Sequence, residues 1–126
     1  MFNLQVFYLI VYYTIYEINV FLTQIITNMS KFGELVDSNI PILLSFYTNW
    51  NNPSVLMHAV LRDVAAAMGD NGKVVKIDIE KNPKLSEALR VKGLPTLMIY
   101  KSGDMVWRQS GEQDANTLIG LMKDFI

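Results

Sequence analysis

Three short apolar runs, ILLSFYT at residues 42–48, KVVKIDI at 73–79 and TLMIY at 96–100, are each separated from the next by a segment of helical period. This alternation restricts the fold more than any other feature of the chain. Continuous apolar runs of this length read as strands buried on both faces, and strands joined through helices pair in parallel. Between the first two runs, Met57, Val60, Leu61, Val64, Ala65 and Met68 recur at intervals of three and four, an apolar helical stripe. It stops at Gly69-Asp70-Asn71-Gly72. Residues 83–91 repeat the pattern more briefly, with Leu85, Ala88 and Leu89 facing inward. The third run is joined to residues 105–110 by Lys101-Ser102-Gly103-Asp104 alone, so these two strands form an antiparallel hairpin.

Two flanking helices complete the pattern. Ser30 can cap a helix reaching Ser38, with Phe32, Leu35 and Val36 on one face, and Asn39, Ile40 and Pro41 break it. Residues 114–126 place Ala115, Leu118, Ile119, Met122 and Ile126 along one face. From residue 29 the order is αβαβαββα. That order predicts an α/β domain: a central mixed sheet flanked by helices on both faces.

Residues 1–28 do not match the rest. They hold one charged side chain, Glu17, of the 12 acidic and 11 basic residues in the chain, and are crowded with Ile, Tyr, Phe, Leu and Asn. As a helix, residues 2–27 would reach roughly 39 Å, enough to cross a hydrocarbon core of about 30 Å. Gln5, Thr14, Glu17, Asn19 and Gln24 interrupt the span. No Lys or Arg precedes it and no small-residue cleavage site follows, which argues against a secretory signal. Three readings stand side by side: a membrane anchor, sequence upstream of a true start at Met29, and an extra packed element. If the segment spans, Lys31 on its following side favours a cytoplasmic domain. The chain thus divides into an apolar segment, 1–28, and a domain, 29–126, expected in the cytoplasm either free or anchored.

Composition removes most chemistries. The chain has no cysteine, which excludes disulfides, thiolate metal sites and a Cys nucleophile. Its single histidine, His58, and scattered carboxylates offer no metal-ligand spacing. A formal charge of −1 without a basic cluster interleaved with aromatics gives no footprint for nucleic acid. No metal or cofactor is expected.

One stretch stands out against this background. Thr48-Asn49-Trp50-Asn51-Asn52-Pro53-Ser54 ends the first strand and opens the long helix, the place where a chain presents a chemically active turn. With Gly93-Leu94-Pro95-Thr96 before the hairpin, Gly103 in its turn and Gly111 before the last helix, the sequence over residues 30–126 resembles the thioredoxin family. The resemblance implies a thioredoxin-like fold and a cis-proline at Pro95. In that family the turn reads Trp-Cys-Gly-Pro-Cys, so both dithiol positions are lost here, to Asn51 and Ser54. The family's buried strand acid corresponds to Ser45, and the basic residue that often follows the second cysteine corresponds to Val55.

Disulfide exchange requires sulfur, and neither a carboxamide nor a hydroxyl can carry the electron pair. The retained residues Trp50, Pro53, Leu94, Pro95 and Gly111 are those that shape the family's shallow groove for an extended segment of a partner protein, and Asn52, in place of the family's glycine, is expected to line the same groove. The resemblance therefore implies a redox-inactive module that binds an extended protein or peptide, with membrane contact through residues 1–28. A rival reading keeps an oxidoreductase relative with residual or partner-dependent activity, using Ser54 and His58 at i and i+4 as nucleophile and base. Asn51 and Asn52 are expected to cap the helix.

Overall fold

The computed structural model describes residues 3–126, and of residues 24–28 the backbone only. Met1, Phe2 and the side chain of Gln24, all part of the apolar segment, lie outside the described residues. The chain divides into two units, one ending at Phe32 and one spanning Gly33–Ile126.

In the first unit the chain is helical. Helix α1 runs Leu4–Val36 over 33 residues, and its last turn belongs to the second unit. Ser30 is therefore not a cap: it lies within an unbroken helix, because neither Ser30 nor its neighbours supply a Gly or Pro to stop helical hydrogen bonding. The side chains from Leu4 to Thr23 are exposed, although most of them are Ile, Leu, Val, Tyr or Phe. Thr14 and Thr23 turn their hydroxyls back onto the carbonyls of Ile10 and Asn19, each at 2.8 Å, which satisfies their O–H groups within the helix itself.

The second unit is a four-stranded sheet in the order β2-β1-β3-β4. Its strands are β1 Ile42–Tyr47, β2 Lys73–Asp78, β3 Thr96–Lys101 and β4 Asp104–Ser110. Helices α2 Asn52–Met68, α3 Pro83–Ala88 and α4 Ala115–Lys123 connect or follow them. β1 pairs parallel with β2 and antiparallel with β3, and β3 pairs antiparallel with β4, a mixed sheet. The hairpin between β3 and β4 turns through Ser102 at φ 51° and Gly103 at φ 85°. Two successive left-handed residues give the turn whose twist suits a two-residue hairpin.

Alternation along the strands divides the core. Leu43, Leu97 and Ile99 face α2 and α4, where they pack with Met57, Leu61, Val64, Met68, Leu118 and Met122. Ile42, Leu44, Phe46 and Met98 are equally buried on the opposite face. Arg108 marks what covers that face. It stands opposite Met98 in the register, and its guanidinium donates to the carbonyls of Leu89 and Arg90 at 2.6 and 2.8 Å. A cation on the carbonyls just past the end of α3 satisfies backbone acceptors there and complements the helix dipole.

Two expectations about burial change. β2 is not buried on both faces: only Ile77 is fully covered, because β2 is an edge strand with a neighbour on one side alone. Ala65 and Ala88 are exposed, since each lies at the margin of its apolar stripe, where a methyl group is too short to reach the core. α3 also ends at Ala88 rather than 91, with Arg90 at φ 55° stopping it.

All four strands and both packed faces lie in residues 33–126. A chain starting at Met29 is therefore expected to remain soluble and to unfold in one cooperative urea transition. Loss of a single transition, or aggregation of the shortened chain, would place part of the first 28 residues in the core.

Candidate functional site

Register brings the sequence-predicted residues to one end of the sheet. Phe46 at the end of β1 lies opposite Thr96 at the start of β3, and Thr96 lies opposite Ser110 at the end of β4. The turn carrying Trp50 to Ser54, the loop carrying Leu94 and Pro95, and Gly111 therefore leave the sheet from the same edge.

The turn is held by its two polar residues. Asn51, with φ −95° and ψ 111°, is the N-cap of α2: its Oδ1 accepts from the Ser54 N–H at 2.9 Å. The same oxygen accepts from Ser54 Oγ at 2.9 Å. Ser54 is wholly buried. Asn52 and Pro53 form the first residues of α2, where proline's missing N–H costs nothing; Asn52 is exposed and does not cap. His58 receives no hydrogen bond from Ser54, whose proton is directed at Asn51. A nucleophile and base are not brought together.

Trp50 is 69% exposed, and its indole N–H donates to Glu80 Oε1 in the loop after β2. That bond holds an aromatic ring out on the surface. Next to it in sequence, Leu56 is 67% exposed and Val55 is also open. Leu56 borders a shallow cleft of roughly 330 Å³ with Met57, Val60 and the Glu112-Gln113-Asp114 segment.

Across the edge, the Leu94–Pro95 peptide bond is cis. Pro95 is buried and Leu94 half-buried. The Pro95 carbonyl accepts from the Gly111 N–H at 2.8 Å, with Gly111 at φ 95°. Thr96 Oγ1 donates to the Gly93 carbonyl. The loop is thereby clamped on both sides of Leu94, while the backbone N–H and C=O of Leu94 itself take no protein partner among the described residues.

Comparison with known proteins agrees with this geometry. The sequence model of the thioredoxin family matches residues 23–124. The chain belongs to the thioredoxin family. It is 38% identical over 91 residues to chloroplastic thioredoxin Y of Oryza sativa subsp. japonica, covering 71% of this chain and 54% of that one. The chain thus spans about half the length of that relative. It is 35% identical over 98 residues to a thioredoxin-like protein of Synechocystis, covering 77% of this chain and 93% of the other. Among solved structures, chloroplastic thioredoxin z superposes with a TM-score of 0.64 at 32% identity, covering 69% of this chain and 79% of that chain. A thioredoxin of Halobacterium salinarum superposes at 0.68 with 28% identity, covering 76% and 83%.

Within this turn, Asn51 and Ser54, which the resemblance to the family sets against its Cys-x-x-Cys, are joined by hydrogen bonds. The chain contains no cysteine at all. Ser45 is fully buried, and its Oγ has no partner; Thr48 Oγ1 is likewise unpartnered. Sequence reading had passed over Glu80 and Leu56. Nothing local marked Glu80, which meets Trp50 across 30 residues of chain. Leu56 carried a signal: a large apolar side chain off the stripe set by Met57, Val60 and Leu61. Among the described residues no group of acidic, histidine or cysteine side chains could hold a metal ion.

Two outcomes are expected from this turn. Asn51→Ala removes a cap and strands the buried Ser54 hydroxyl, and should cost about 1–2 kcal/mol in urea unfolding. Asn51→Ala with Ser54→Ala should recover part of that loss; strict additivity would deny the coupling. His58 is held below its ordinary 6.5 by burial, then by Lys76 and Arg62. As pH falls through about 6.5, the unfolded chain takes up the proton first, so stability is complete above that value and declines toward the folded midpoint, then levels. Urea midpoints between about pH 7 and 5.5 should show this slope, and His58→Gln should flatten it.

Proposed function

We propose that this chain is a redox-inactive thioredoxin-family module that holds an extended segment of a partner protein against the edge formed by Trp50, Asn52, Pro53, Leu94, Pro95 and Gly111. The observation that carries this reading is Leu94: a half-buried residue, clamped on both sides, with backbone N–H and C=O unpaired. One residue offering both a donor and an acceptor is what a guest strand needs to add a rung. Trp50 and Leu56 supply exposed apolar surface on the turn and helix start after β1, and such residues anchor interfaces. Thioredoxin relatives act on protein targets, and the thioredoxin z structure is described in terms of target recognition. Without a thiol the module binds but does not exchange disulfides.

The first unit supports a tether. Leu4–Thr23 is a helix of 20 residues with mean hydropathy 1.4 and none of it buried. In this reading it sits in a bilayer, with the domain on the cytoplasmic side next to Lys31. The full chain, but not one starting at Met29, should then float with liposomes. Mass spectrometry of the mature N-terminus separates an anchor from a removed leader or an upstream start.

Binding is tested with an array of extended peptides followed by amide exchange. A bound peptide should protect the Leu94 N–H, which exchanges freely in the unbound protein. Trp50→Ala should weaken that peptide by about tenfold or more, the loss typical of an aromatic anchor. Peptides that bind without protecting Leu94 would move the site elsewhere.

The chemistry is tested separately. The protein should not speed insulin reduction by dithiothreitol, whereas Asn51→Cys with Ser54→Cys should form a disulfide and recover weak activity. Wild-type turnover that is lost in Ser54→Ala or His58→Ala would favour the oxidoreductase reading.

A further inference from the structure

A second concavity, of about 150 Å³, lies between α2 and the edge strand β2, lined by His58, Leu61, Arg62, Ala65, Val74 and Lys76. Its floor is apolar, and its rim carries two permanent cations and an imidazole. His58 and Arg62 stand four residues apart on one face of α2. Lys76 enters from β2, opposite Ser45 in the register. Among the described residues no carboxylate pairs with Arg62 or Lys76.

The acidic group nearest in register is Asp78, opposite Tyr47, and its Oδ1 accepts the Glu80 N–H. The His58 ring meets the edge of Tyr47 at 5.0 Å, and its Nε2 is buried without a partner. Gathering two cations and a desolvated imidazole with no counter-charge is unfavourable, and an anion among them reverses the sign of each interaction. Arg62 and Lys76 are both exposed, so the rim of the concavity is open to an anion from solvent.

We propose that this pocket binds a small tetrahedral oxyanion: free sulfate or phosphate, or the phosphoryl end of a monoester. Arg62 and Lys76 hold its charge, and His58 joins them as imidazolium. The site lies on the α2–β2 face and is separate from the Leu94 edge, so either can fail without the other.

His58 is the only histidine in the chain, so its Cε1–H resonance reports this site alone. The full chain in detergent micelles is titrated with sulfate against chloride at constant ionic strength; sulfate keeps its charge across the pH range used. A saturable shift of the His58 signal is expected, with its titration midpoint raised when sulfate is bound. Affinity should fall by up to about tenfold per pH unit above the midpoint, as the bound state requires the proton.

Arg62→Gln and Lys76→Gln should each weaken binding about tenfold, the loss expected for a charge-assisted hydrogen bond. Lys76→Arg should retain it, which separates lost charge from a disturbed fold. Inorganic phosphate and O-phosphoserine distinguish the sources: a tighter monoester points to a phosphorylated ligand, and equal affinities to the free anion. A shift that stays linear in sulfate, or that persists unchanged in both Gln variants, would overturn the proposal.

Discussion

β1 lies between β2 and β3, and every side chain from Ile42 to Phe46 is buried. Its antiparallel register with β3 sets Phe46 against Thr96, and β4 then sets Ser110 against Thr96. Those pairings decide where three loops emerge. A slip of one residue along this central ladder would turn Leu43, Leu97 and Ile99 away from α2 and α4 and carry the loops out of reach of one another.

The turn at the end of β1 is held by its own polar side chains. A helix start leaves N–H groups without partners. In the Trp-Cys-Gly-Pro-Cys arrangement the same position favours a thiolate, because the dipole and free N–H groups stabilise negative charge. Here the carboxamide of Asn51 satisfies one of those N–H groups and also receives the Ser54 hydroxyl. Two neutral polar groups answer each other at this helix start.

The loop at the same end of the sheet leaves one residue's backbone open. Hydrogen bonds at Gly93, Pro95 and Gly111 immobilise the loop while leaving Leu94 open. Rigid presentation of an unpaired donor and acceptor lowers the ordering cost that binding an extended segment otherwise carries. Trp50 is treated in the same manner: Glu80 fixes its indole at the surface, where a free aromatic ring would tend to fold back onto apolar neighbours.

Much of this protein could be read from its residues in order. The alternation of continuous apolar runs with a stripe at Met57, Leu61, Val64 and Met68 determined the strands and α2, because burial on one face imposes a period that local sequence must display. That the chain holds no cysteine was plain from its residues, and the spacing from Trp50 to Pro53 placed the turn. Tertiary structure alone decided the rest. That β2 is an edge strand depends on what stands beside it, and an apolar run such as KVVKIDI cannot encode the absence of a neighbour. The Trp50–Glu80 contact, the partnering of Asn51 with Ser54 rather than Ser54 with His58, and the meeting of His58 and Arg62 with Lys76 each depend on side-chain direction or on residues far apart in the chain. Such choices are made by packing, after the chain's own periodicity has been spent on forming the elements.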